Sequence, residues 1–171
     1  RALEEVKAFG GVRSVARTPD QAAYAIWWME FAEGAINRLA RRLAEERGLS
    51  LAESARLFAL LNITLFDNYV AVWDSKYEHN HWRPYTAIRE AAHRDSAIDP
   101  DSTWEPLRPT PPFPEYVSAH AAACAASFEI LTGVFGHTAF TMETLTAPQG
   151  MASRRFPSFR AAAAECADSR V

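Results

Sequence analysis

The sequence predicts an all-α protein, a helical bundle with long proline-rich loops. Three observations predict it. Apolar residues recur at helical spacing through most of the 171-residue chain. Helix start and stop signals bracket those segments. No stretch shows sustained strand alternation. The length fits one domain, residues 1–171, with a single core.

The first helical run is "TPDQAAYAIWWMEFAEGAINRLARRLAEERG". Thr18 reads as an N-cap, Pro19 as the first helical residue and Gln21 as the capping-box partner. Gly34 is a candidate break within the run, and Gly48 a C-cap signal. Ser50, with Glu53 three residues on, caps the next helix. From Leu57 to Trp73 apolar residues crowd every face, which predicts a helix buried in the middle of the bundle. Pro84 disfavours a helical Arg83, so this helix is expected to end near Trp82.

Residues 93–116 carry six of the ten prolines and no period. They read as a long ordered loop, a feature more often functional than not. A helix is expected from about Ser118 to Phe135, irregular chain over 136–156, and a closing helix in "PSFRAAAAECADSR" with Pro157 in its first turn.

Bulk properties exclude some functions. The formal net charge of -3 shows no basic excess, so a nucleic-acid partner is not expected. No run of about 18 uncharged apolar residues occurs, so no transmembrane segment is expected. Cys124 and Cys166 sit in alanine-rich stretches and read as buried thiols, with one disulfide left open. No signal peptide is legible. The chain begins at Arg1 rather than Met, so its compartment is left open, export included.

The chemistry concentrates in "KYEHNHWRP", residues 76–84. A metal site is one reading. On a helix, however, His79 and His81 stand about 200° apart and cannot share an ion. The other reading takes Lys76 and Arg83, two helical turns apart, as cationic prongs on one side. A point charge and a planar fork suit an oxyanion. Taken alone, the pair is better explained as a solvated basic face. "PPFPEYVSAH" adds Ser118 and His120 around Ala119 at a helix start, where unpaired amides favour negative charge. A simple N-cap and a core histidine are the plain alternatives. The chain then ends with Ser169-Arg170-Val171.

Taken together, Lys76-x6-Arg83-Pro84, then Ser118-Ala119-His120, then Ser169-Arg170 resemble the three motifs of the vanadium-dependent haloperoxidase and type-2 phosphatidic acid phosphatase superfamily. The first motif matches fully and the other two in part. "WDSKYEHNHWRPYTAIRE", "PTPPFPEY" and "FPSFRAAAAE" are similar to the soluble, chloroperoxidase-like branch, and the resemblance covers most of residues 50–171.

The resemblance implies a helical bundle with active-site loops. It also implies a vanadate-dependent peroxidase that oxidises halide with hydrogen peroxide to a hypohalous species, which then meets an organic acceptor. Lys76, Arg83, Ser118, the amide of Ala119 and Arg170 would hold the vanadate. His120 would be the acid-base residue, and Lys76 would help polarise the peroxide. Trp73 and Phe113 would shape the halide pocket, core packing being their plain alternative.

Three departures stand out. Val117 replaces the motif's proline, and Ala119 its glycine, a costly change only where φ is positive. The family's histidine ligand, expected six residues after Arg170, falls beyond Val171, so the domain is read as incomplete at its C-terminus and inactive as it stands. A soluble acid phosphatase using phosphate in the same cradle, and a non-catalytic homologue, are the alternative functions. A homo-oligomer is left open.

Overall fold

The structure is a computed structural model and describes residues 2–90 and 99–170. It is mostly helical. In chain order come α1 (Ala2–Phe9), α2 (Pro19–Trp27), α3 (Ala32–Glu46), α4 (Leu51–His79), α5 (Pro84–Arg89) and α6 (Ala119–Phe135). They are followed by β1 (Phe140–Glu143), β2 (Ser153–Phe156) and α7 (Phe159–Asp168). The chain divides into two compact units. One comprises residues 1–22, 74–117 and 171; the other comprises residues 23–73 and 118–170.

The capping signals act as their chemistry predicts. Thr18 and Gln21 form a reciprocal capping box: the Thr18 amide donates to Gln21 Oε1, and the Gln21 amide donates to Thr18 Oγ1. Ser50 and Glu53 repeat the arrangement at the head of α4. Gly48 ends α3 in the left-handed region at φ 62°, a conformation that favours glycine.

In the second unit the core is built from α3, α4, α6, α7 and the hairpin. Ile36, Leu39 and Leu43 of α3 meet Leu57, Leu61 and Leu65 of α4, with Phe128 and Leu131 of α6 and Phe159 of α7. Aromatic rings seal it: Phe140 stacks on Phe159 at 4.6 Å, and Trp27 meets Trp28 edge-on at 4.8 Å. Buried rings in such pairs add to the area they withdraw from water. A disulfide joins Cys124 of α6 to Cys166 of α7. The cysteines are buried as expected, but they are paired rather than free thiols.

The first unit is organised by Trp104. Its indole donates to the carbonyl of Lys7 on α1, and its ring lies against Gly10 and Gly11; a Cβ at Gly11 would crowd the indole nitrogen at 3.0 Å. The Lys7 ammonium donates to the Asp99 carbonyl, and the Asp101 amide donates to Ile88 on α5. These contacts order residues 99–117 without regular structure. The rest of the expected loop, residues 93–98, lies outside the described residues.

Several expectations are corrected. α1 was not signalled by the sequence. The first helical run breaks at residues 28–31, and Gly34 lies inside α3. α4 ends at His79 rather than near Trp82, because Asn80 takes a left-handed φ of 46°. Residues 136–156 contain the antiparallel β1–β2 hairpin, Phe140 facing Phe156 in register. Its strands are four residues each, too short to register as alternation. Pro157 precedes the α7 cap, Ser158.

α4 is not buried on every face. Leu57, Leu61, Leu65 and Val72 are buried, while Ile63, Phe66 and Val70 are exposed. By length and composition alone the stretch Leu51–Arg89 is apolar enough to cross a membrane. A core helix passes the same test, and α4 places its buried leucines in the core of the second unit.

Candidate functional site

Lys76 is the least expected buried residue in the first unit, 1 % exposed in the last turns of α4. Its ammonium donates to the carbonyls of Pro114 (2.8 Å) and Glu115 (2.9 Å). It also lies 5.1 Å from the centroid of the Phe113 ring. Burial lowers its pKa, and the nearby Arg83 charge lowers it further, against the opposing pull of Glu115.

Arg83 is extended (φ -66°, ψ 146°), because Pro84 opens α5 directly behind it. The extended residue carries its guanidinium to the same loop. Nε donates to the Phe113 carbonyl at 2.6 Å, and Nη1 to Glu115 Oε2 at 2.7 Å. The guanidinium carbon sits 4.5 Å from the Phe113 ring centroid. Its remaining donor, Nη2, is buried without a partner among the described residues. The expected two prongs on one side are thus brought together, with Phe113 beneath both. A buried guanidinium donor with no acceptor costs free energy and marks a place where an oxygen would be favoured.

The metal reading of 78–81 fails for a different reason than helix geometry suggests. Since α4 stops at His79, the two imidazoles are not on opposite faces. Their rings lie 6.1 Å apart, and both pack on Tyr116, at 5.8 and 5.6 Å. They form an exposed aromatic cluster rather than a ligand pair.

In the second unit, Ser118 caps α6, accepting from the Ala121 amide at 3.3 Å. Ala119 is the first helical residue, and among the described residues the only non-glycine with positive φ is Asn80. Alanine therefore fits without strain where the motif has glycine. The Ala119 amide, in the first turn, has no intrahelical acceptor. His120 follows. Its Nε2 is buried and unpartnered among the described residues. Desolvation first, then the Arg170 charge, lowers its pKa to about 4, so the imidazole is neutral at pH 7.

Arg170 follows α7. Its Nε donates to Ser169 Oγ and Nη2 to the Ala25 carbonyl, and it pairs with no carboxylate among the described residues. Burial lowers its pKa to about 10. Trp73, one turn before Lys76, is half-buried on α4. So the first unit holds Lys76, Arg83 and Phe113, and the second holds Trp73, Ser118, Ala119, His120 and Arg170. Glu115 was missed by the sequence reading. A carboxylate in a proline-rich loop carries no signal for which cation it will meet.

The first unit thus holds one buried and one half-buried cation, and the second a helix N-terminus, a half-buried neutral histidine and a half-buried arginine. Residues 56–171 match the family model of the VCPO second helical-bundle domain, and the chain belongs to this family. It is 29% identical over 150 residues to the vanadium chloroperoxidase of Curvularia inaequalis, covering 72% of this chain and 25% of that protein. Its fold matches a crystal structure described as the first bacterial vanadium-dependent iodoperoxidase. That match has a TM-score of 0.73 and 30% identity, and covers 88% of this chain and 37% of the other. The chain thus spans about a quarter of the curated relative's length.

Proposed function

We propose that this chain carries the vanadate-binding residues of a haloperoxidase that oxidises halide with hydrogen peroxide to a hypohalous species. The observation that carries the reading is the buried Lys76, spaced seven residues before Arg83-Pro84 as in the family's first motif. The residues fit a tetrahedral oxyanion. Among the described residues Arg83 Nη2 has no acceptor and the half-buried Arg170 has no carboxylate partner, and the Ala119 amide heads a helix. Glu115 competes for one edge of Arg83.

Vanadate, when bound, supplies the centre at which peroxide is activated toward halide. By the family motifs, Lys76, Arg83 and Arg170 would offset its negative charge, acting most strongly where water is scarce. Ser118 Oγ and the Ala119 amide would hold its oxygens. His120 is neutral, with its Nε2 out of water, so it could accept a proton at that atom and return it. A bound anion favours that protonated form. By the family resemblance, Trp73 and Phe113 would shape the halide pocket.

The test uses the full-length gene product, because this chain spans about a quarter of the curated relative's length. The protein is stripped of oxyanion and assayed for bromination by hydrogen peroxide, with and without orthovanadate. Vanadate-dependent bromination is expected. Its absence at every vanadate level, with the protein folded, rejects the proposal.

A further inference from the structure

His120, Cys124 and Cys166 form a cluster that the peroxidase reading does not use as a unit. One ligand atom from each, a ring nitrogen and two sulfurs, lies within 4.8 Å of the others. His120 and Cys124 are four residues apart on α6, the spacing that puts two side chains on one helix face. Cys166 comes from the adjoining face of α7, with its Cα 6.6 Å from that of Cys124. Both cysteines are fully buried. The Cys166 sulfur is 3.9 Å from the His120 carbonyl oxygen, so the backbone of the first turn of α6 is packed against it.

We propose that reduction of the Cys124–Cys166 disulfide turns this cluster into a three-ligand site for a thiophilic metal ion, Zn(II) or Cu(I), that takes His120 as its nitrogen ligand. The chemistry is balanced by a dithiol reductant. Two electrons and two protons pass from it to the disulfide; the S–S bond breaks, two thiols form, and the reductant becomes a disulfide. Binding the ion then releases the two thiol protons.

A tetrahedral zinc ion holds sulfur and nitrogen ligands about 3.5–3.8 Å from one another, given bonds of about 2.3 and 2.0 Å. The three ligand atoms lie within 4.8 Å of one another, the two sulfurs closest because they are bonded. Once the S–S bond is broken, side-chain rotation lets the sulfurs separate toward that spacing. The buried, sulfur-rich setting selects a soft ion over magnesium or calcium. Three protein ligands leave the fourth position for water or another small ligand.

The disulfide is therefore a gate. In the oxidised chain the sulfurs have no thiolate to offer and His120 is available for proton transfer. In the reduced, metal-loaded chain His120 is held. The site stands on these contacts whether or not the protein is a peroxidase, and its test reads metal binding rather than activity.

The full-length gene product, oxidised or reduced with dithiothreitol and freed of excess reductant, is titrated anaerobically with Co(II). Visible absorption, thiolate-to-cobalt bands and far-UV circular dichroism are followed. The reduced protein is expected to bind one Co(II) with a tetrahedral spectrum that Zn(II) displaces. The oxidised protein, and reduced Cys124→Ser, are expected to lose that spectrum. Reduced His120→Ala is expected to weaken binding about tenfold or more and to shift the spectrum. His120→Gln replaces it where the alanine variant loses helix. No tetrahedral spectrum in the reduced wild type overturns the proposal. So does unchanged binding in the His120 variants, which would leave a dithiol without the histidine. A reduced protein that loses its helical signal and does not regain it with metal also overturns it.

Discussion

Arg83 shows how one backbone constraint becomes a functional one. Pro84 keeps Arg83 out of the helix, the extended residue reaches the 113–115 loop, and one guanidinium donor is left with no acceptor. Arg83→Ala in the full-length protein is expected to weaken vanadate binding sharply, read by calorimetry or by the vanadate dependence of bromination. Unchanged affinity would reject Arg83 as part of the cradle. His120 makes a second residue-level prediction. Its folded pKa is about 4 and its ordinary value 6.5, so between these the unfolded chain takes up a proton that the folded chain refuses. Its contribution is fully present above pH 6.5 and is lost progressively as pH falls to about 4. Urea unfolding at pH 7 and pH 4.5 should show a smaller loss of stability in His120→Gln than in the wild type. Equal losses would assign the acid sensitivity to other groups.

At the scale of elements, α6 and α7 carry the second and third motifs at their ends, and the disulfide fastens them. Cys124 and Cys166 are 42 residues apart, and closing a loop of that size removes unfolded-state entropy worth about 4 kcal/mol. Cys124→Ser with Cys166→Ser is expected to lower unfolding free energy by about 2–4 kcal/mol, measured by urea denaturation. A loss below about 1 kcal/mol would mean that helix packing alone holds the pair. α4 shows the opposite division of labour. Its buried residues follow a helical stripe through Leu57, Leu61 and Leu65 to Val72 and Lys76, so the same face that fills the core presents the lysine. Ile63, Phe66 and Val70 are as apolar in sequence but stand exposed.

For the molecule as a whole, family membership supports the proposed halide-oxidising reading, and in that proposal Trp73 and Phe113 would separate it from phosphate-ester chemistry. Phe113 already serves as the platform for both cations, so its ring bears on charge as well as shape. Trp73→Ala with Phe113→Ala in the full-length protein should change the rate and preference among iodide, bromide and chloride. Phosphate-ester hydrolysis, if present, should change far less. The reverse pattern would favour a phosphatase.

Helices with local start and stop chemistry were legible in the sequence. Thr18 with Gln21, Ser50 with Glu53, Gly48, Pro84 and Ser118 each act within a few residues, so their effect is written in the chain beside them. The site residues were legible by spacing for a related reason: seven positions separate Lys76 from Arg83 on a helix and its exit. Local signals did not reveal what depends on distant partners. Asn80 ends α4 three residues early, which puts His79 and His81 together on Tyr116. The four-residue strands exist only because Phe140 and Phe156 meet in register under the aromatic core. Which apolar face of α4 is buried, that Glu115 meets Arg83, and that Cys124 pairs with Cys166 beside His120 follow from contacts between segments far apart in sequence. The sequence by itself determined the capped helices and the order of the charged residues. Only the tertiary structure decided how far each lost its water, because packing between distant segments buries Lys76 fully and Arg83 and His120 in part.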